Sequence, residues 1–166
     1  IFNMTKKICG FEFILIPFKV EPTKDPRQNI HENYNKKNEK KLLKYGEGPF
    51  CKFRIEGKYD KPGIYIFYSN NKIRYVGQTE RSLEKRIYDY GQISPANCWD
   101  GGQGTDIKIN YKICEEIKKG NEIKLYFCEQ NTSEEKRIEG ERKIIAELDP
   151  LWNNKDVERT RHVDSD

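Results

Sequence analysis

The sequence predicts an α+β domain, a small antiparallel sheet of three strands flanked by helices and preceded by an N-terminal extension. Three observations predict it. Two β-branched and aromatic runs, GIYIFY (Gly63 to Tyr68) and IRYVG (Ile73 to Gly77), flank Ser69-Asn70-Asn71, a hairpin signal. IKLYFCE (Ile123 to Glu129) alternates as a third strand. Around these runs lie segments with helical apolar spacing, Ser82 to Tyr90, Asp106 to Lys119 and a last one opening at Thr132.

Residues 1–61 read as an extension or arm of the domain. FEFILIPF (Phe11 to Phe18) has the composition of a buried strand. Residues 21–44 are interrupted by proline and then rich in Lys and Asn, which fits a loop leading into a short helix. Lys36, Lys37, Lys40, Lys41 and Lys44 there form either a phosphate-contacting face or a solvated surface. YGEGP (Tyr45 to Pro49) is a turn, and FCKFRI (Phe50 to Ile55) partly alternates like a strand.

Residues 62–155 read as the main domain, in the order β-β-α-α-β-α. A loop of three residues would pair Tyr65 with Tyr75 directly and on one face, whereas a two-residue Asn-Asn turn would set them on opposite faces. Gly91 to Thr105 is a glycine-rich loop. In the second helix Ile107, Ile113, Cys114 and Ile117 point inward. Thr132 with Glu135 three residues on has the spacing of a capping box, and the last helix ends before Pro150. Residues 156–166 form a charged tail.

Composition narrows the function classes. Of the 166 residues, 35% are hydrophobic and 35% charged, and the ten Tyr and eight Phe make up for few aliphatics. No run approaches the ~20 apolar residues of a membrane span. FEFILIPF carries Glu12 and Pro17 and no small-residue cleavage pattern behind it, which argues against a signal peptide. The five cysteines have wide, unpatterned spacings and read as free thiols of a cytoplasmic protein. Only two histidines, His31 and His162, are present, so a zinc site has little to be built from. The formal net charge of +4 permits nucleic-acid binding without establishing it.

Charged residues on apolar stripes carry the chemical signal. In the last helix Ile138, Ile145 and Leu148 mark a stripe that includes Glu141. In the first, Leu83 and Tyr90 bracket Arg86. An unpaired buried charge costs several kcal/mol, so such residues pair, hold a metal or border a cleft. One reading is a buried salt bridge between Arg86 and Glu141. The other joins them to Tyr65 and Tyr75 as a set suited to phosphodiester cleavage. A phenol can relay or accept the proton of an attacking water, a guanidinium forks onto phosphate oxygens, and a carboxylate can hold one Mg²⁺.

With these residues in place the sequence resembles the GIY-YIG nuclease superfamily. Gly63-Ile64-Tyr65 stands for the first motif and Tyr75-Val76-Gly77 for the second, with nine residues between the tyrosines. TERSLEKRIYDY (Thr79 to Tyr90) resembles the family's following helix, which places the catalytic arginine at Arg86, with Arg81 as an alternative off the stripe, and the family's His or Tyr at Tyr90. ERKIIAELDPLWN (Glu141 to Asn153) resembles the closing motif, with Glu141 before Pro150 and Asn153 at its end.

The resemblance implies a DNA endonuclease with one Mg²⁺ or Mn²⁺ per active site. Tyr65 would act as or help position the general base, with Tyr75 and Tyr90 ordering water and phosphate. Arg86 would hold the scissile phosphate, Glu141 the metal, and Asn153 would brace the site. Gly77, Gln78, Lys108 and Asn110 are further candidates for substrate contact. The loop and the helix after it also offer Gln92, Asn97, Trp99 and Gln103 as groove-reading donors, or serve simply for packing. Double-stranded DNA is the expected partner, and cutting both strands with one site per chain requires a homodimer or sequential nicking. A stand-alone restriction or defence enzyme is the expected setting. The alternatives are a homing or repair nuclease, a non-catalytic nucleic-acid-binding module on the same fold, and a plain α+β domain with a structural salt bridge.

Overall fold

A computed structural model of the chain describes residues 4–22, 41–102 and 104–154. The described residues form two compact units, one drawn from segments within 1–19, 55–87 and 121–154, the other from 20–54 and 88–120. Lys36, Lys37, Lys40, Gln103, His31, His162 and the charged tail lie outside the described residues.

The first unit is built on a five-stranded sheet. Its strands are β1 (Thr5–Ile8), β2 (Phe11–Ile16), β5 (Gly63–Ser69), β6 (Lys72–Thr79) and β7 (Ile123–Glu129), and they lie in the order β1-β2-β7-β5-β6. The expected three strands are therefore only part of it. FEFILI supplies β2, which pairs antiparallel with β7 through Ile14↔Phe127 and Ile16↔Leu125, and β1 adds itself outside β2. Phe13 and Ile16 on β2 are buried almost completely, and that burial is what draws the N-terminal segment into the sheet.

The hairpin of β5 and β6 closes on a two-residue turn, not the three-residue loop. Asn70 and Asn71 have φ of 51° and 61°, the left-handed pair of a type I′ turn, whose twist matches that of the flanking strands. The register places Tyr65 opposite Gly77 and Phe67 opposite Tyr75, so the two tyrosines do not pair directly. They still share a face. Beyond Phe67↔Tyr75 the ladder continues as Tyr68↔Ile73, so Arg74 is the extra residue of a β-bulge. That bulge offsets the parity change of the shorter turn.

One face of the sheet carries Ile64, Ile66, Val76, Tyr126 and Cys128, which form a core with Phe13, Ile8 and Ile144. Ile144 belongs to α3 (Glu134–Leu148), which lies against β5 and β6. The buried line of α3 is Arg137, Gly140 and Ile144, one position away from the expected stripe. Leu148 is 42% exposed, while Ile138, Glu141 and Ile145 flank the buried line at half-burial. A Cβ at Gly140 would lie 2.9 Å from Ile64 Cδ1, so this glycine sets how closely helix and sheet approach. The helix is capped by Ser133, whose hydroxyl accepts from Lys136 N at 3.4 Å, and not by Thr132. It stops at Asp149, left-handed with φ of 44°.

The other face carries Tyr65, Phe67, Tyr75 and Gly77. Here α1 (Leu83–Gly91) begins, fixed at its N-terminus by Ser82, which accepts from Lys85 N at 3.2 Å. Glu84 in its first turn also accepts from Tyr59 N at 2.8 Å. The Tyr59 bond, with Leu83 N to Lys61 O and Glu84 N to Tyr59 O, ties the start of α1 to the segment leading into β5.

In the second unit lie most of β3 (Phe18–Pro22) and β4 (Cys51–Ile55), paired as a separate ribbon, and α2 (Gly104–Lys118). Its core gathers Phe50, Ile93, Cys98, Trp99 and Ile107. The expected glycine-rich loop contains a 3-10 turn, Pro95–Cys98, and is stitched to residues 41–43 by Leu43 N to Cys98 O and Asp100 N to Lys41 O.

Candidate active site

The phenol of Tyr65 is 1% exposed and lies directly over Gly77 on the neighbouring strand. A Cβ built at Gly77 would overlap the ring carbon bearing the hydroxyl and the hydroxyl oxygen itself. Position 77 therefore takes only glycine while the ring keeps this place. Phe67 packs edge-on to the same ring at 5.9 Å, and Tyr75 is tilted to it at 6.4 Å between centroids. Gly63 makes room for backbone as well as for the Phe127 ring, 2.6 Å from a Cβ built there. A Cβ there would overlap the Cys128 carbonyl oxygen, so this glycine admits the close pairing of β5 with β7.

Arg86, half-buried on the first turns of α1, donates from Nε to the Tyr65 hydroxyl at 3.4 Å, the long end of hydrogen bonding. Leu83 and Ile87 on either side of it are fully buried, which fixes the rotation of the helix. Arg81 precedes the helix and is exposed, with its carbonyl accepting from Thr79 Oγ1 at 3.2 Å. The arginine brought to the phenol is Arg86.

Asn153 acts on the backbone of β6. Its Oδ1 accepts from Val76 N at 2.9 Å and its Nδ2 donates to Val76 O at 2.8 Å. Among the described residues β6 is an edge strand with β5 as its one neighbour, so the carboxamide satisfies the outer N–H and C=O that a further strand would have taken. Val76 lies between Tyr75 and Gly77. Trp152, 4% exposed, anchors the short turn that carries Asn153.

Glu141 is half-buried on α3, one residue after the Gly140 contact. Among the described residues no group of three or more His, Cys, Asp or Glu side chains is assembled as a metal cage. Gln78 sits on the Val76 side of the sheet, and its Oε1 is buried without a hydrogen-bond partner among the described residues.

A family model described as the GIY-YIG catalytic domain matches residues 61–155, more than half of the chain. The chain belongs to the GIY-YIG family. No curated protein and no solved structure matches it. GIY-YIG domains are generally endonucleases, and GIY-YIG nucleases act on DNA. No helix among the described residues is long and apolar enough to cross a membrane.

The GIY-YIG motif residues Tyr65, Tyr75, Gly77, Arg86, Glu141 and Asn153 all belong to the first unit, whereas Tyr90, Lys108 and Asn110 belong to the second. In that unit Asn110 is fully buried. Its amide donates to Tyr90 O at 2.7 Å and Cys51 O at 2.8 Å, and its oxygen accepts from Cys51 N at 2.8 Å. Lys108 is 6% exposed and Trp99 is 5% exposed, while Gln92 is at the surface. Arg74 escaped the sequence reading. Its signal was the parity conflict between an Asn-Asn turn and two tyrosines wanted on one face, which a bulge resolves.

Proposed function

We propose that this chain is a metal-dependent endonuclease that hydrolyses phosphodiester bonds of double-stranded DNA. The observation that carries the reading is the Arg86 guanidinium on the hydroxyl of a phenol seated over Gly77. A buried phenol with a cation on its oxygen is a poor choice for packing alone, since Phe would fill the same space without a polar group to satisfy.

The scissile phosphate lies across the edge strand β6. Arg86 holds one of its non-bridging oxygens and offsets charge as it builds up in the transition state. Tyr65 takes or relays the proton of the attacking water, with the guanidinium offsetting negative charge on the phenolic oxygen. Tyr75 orders the water and phosphate, and Asn153 keeps the strand between the two tyrosine positions from moving.

Glu141 is the metal ligand in this reading. One carboxylate suits Mg²⁺ or Mn²⁺, which take most of their ligands from water and substrate phosphate, and does not suit a zinc cage. When bound, the ion stabilises the leaving oxygen. Two copies of the chain, or two successive nicks, cut both strands. Restriction or defence against foreign DNA in the cytoplasm is the setting we assign, where the five free cysteines stay reduced. The test is single-turnover cleavage of a labelled duplex by Tyr65→Phe and Arg86→Ala. Each is expected to slow the chemical step by roughly 10²-fold or more while the duplex stays bound. Unchanged rates in both would sink the assignment.

A further inference from the structure

Away from the phenol face, the first unit contains an open cleft of about 530 Å³ that none of the proposed catalytic residues lines. Lys6 and Lys7 of β1, Lys72 and Arg74 of β6, Tyr68 of β5 and residues 148–151 at the end of α3 line it. Four of these are cations and Asp149 is the one acid, a formal balance of +3.

Two of the basic groups, Lys6 and Arg74, are held in place. Lys6 Nζ sits 4.0 Å from the centroid of the Tyr68 ring and 5.4 Å from that of Tyr126, which fixes its ammonium over an aromatic floor. Arg74 is the bulge residue, and its Nε donates to Ser69 O at 3.2 Å, which anchors the guanidinium at the hairpin tip. Leu148 and Leu151, which also line the cleft, are 42% and 68% exposed.

From this arrangement we propose that the cleft binds the sugar-phosphate backbone of the DNA strand flanking the cut, with N-terminal Lys6 and Lys7 as contacts supplied from outside the matched domain. Phosphates meet the cations, and deoxyribose carbons meet Leu148 and Leu151. An anionic lipid surface would also satisfy cations beside exposed leucines. DNA is favoured because Lys72 and Arg74 share the edge strand β6 with Tyr75 and Gly77, so a polyanion that crosses this edge from the phenol face reaches the cleft. The inference rests on the nuclease reading only for where the strand is cut.

Its test is equilibrium binding of a fluorescein-labelled duplex to the full chain in EDTA, across a salt series. The variant is Lys7→Gln with Lys72→Gln, both at exposed positions, checked for folding by thermal melt. Each lost phosphate contact lowers the slope of log K against log salt by about 0.9, so the pair lowers it by roughly 2 and weakens binding roughly 60-fold at ~0.1 M salt. Lys72→Arg, which keeps the charge, retains the slope, as does Lys58→Gln outside the cleft.

Loss of slope in the double variant supports the cleft even if the unaltered chain never cuts DNA, an outcome that would defeat only the nuclease reading. An unchanged slope and affinity in a chain that does cut overturns the cleft and leaves the nuclease reading intact. Vesicles of phosphatidylserine that bind the unaltered chain and not the double variant, with DNA binding unchanged, overturn it in favour of a membrane.

Discussion

Gly77→Ala is the smallest change that reaches the proposed chemistry, because it adds one methyl group beneath the Tyr65 phenol. The ring cannot yield sideways, with Phe67 edge-on at 5.9 Å and Tyr75 at 6.4 Å, and the residue is only 1% exposed. Overpacking of this kind costs about 1–3 kcal/mol. For a chain of this size that is a fall in Tm of about 2–12 °C. The larger effect is on rate. A phenol displaced by ~1 Å loses its place relative to Arg86, and such misplacement lowers turnover by roughly 10²-fold.

Chemical denaturation and plasmid cleavage on the same preparations measure both quantities. A double-mutant cycle with Tyr65→Ala isolates the contact, since truncating the ring removes the atoms that the new methyl group meets. A coupling energy of about 1–3 kcal/mol is expected. If Gly77→Ala keeps full stability and activity, or if its penalty is the same with and without the Tyr65 ring, the ring does not rest on Gly77 and the reasoning fails.

Asn153→Ala removes two hydrogen bonds to Val76, each worth about 1 kcal/mol, and should lower denaturation stability by about 1–2 kcal/mol together with activity. Asn153→Asp keeps the acceptor for Val76 N but cannot donate to Val76 O, so it should not restore either quantity. Gly140→Ala should change stability by no more than about 1 kcal/mol. The atoms it meets are the ends of the Ile64 and Phe11 side chains, and the gain in helix propensity offsets the crowding. In the second unit Cys51 Sγ donates to Cys114 Sγ at 2.6 Å. Accepting that bond draws the Cys114 thiol down to about 7 against the opposing effect of burial, while the same bond and burial push Cys51 up. The Cys114 contribution to stability is therefore present above its unfolded value of 9.0 and lost as pH falls through about 7. The raised Cys51 acts oppositely, withdrawing stability above 9.0. Denaturation midpoints should drop between pH 9 and 7, and Cys114→Ser should flatten that drop.

The parts of the fold that depend on local pattern were legible in the sequence. β7 occupies the alternating run Ile123–Glu129, and the helices start and stop close to their capping and breaking residues. What was not legible depends on non-local register or on glycine. Nothing in FEFILI says that Ile14 should face Phe127 rather than pack elsewhere, so the five-stranded sheet looked like three strands with an arm. Gly140 adds nothing to a count of apolar spacing, yet it is where α3 touches the sheet, and the stripe was accordingly read one position off. The GIY-YIG residues stood out because each tripeptide combines a tyrosine with a glycine. Gly77 makes room for the Tyr65 ring and Gly63 for the neighbouring strand, so the spacing seen in the sequence is a packing requirement as well as a motif.

The central claim is that this chain hydrolyses DNA with a metal held at Glu141. Supercoiled plasmid incubated with the unaltered chain and with Glu141→Gln, in Mg²⁺, in Mn²⁺ and in EDTA, tests it most directly. Nicked or linear DNA should form with the unaltered chain in metal, and not in EDTA or with Glu141→Gln. Intact plasmid under every condition, from a folded chain that still retards the DNA on a gel, would contradict the claim and leave a DNA-binding module on the GIY-YIG fold.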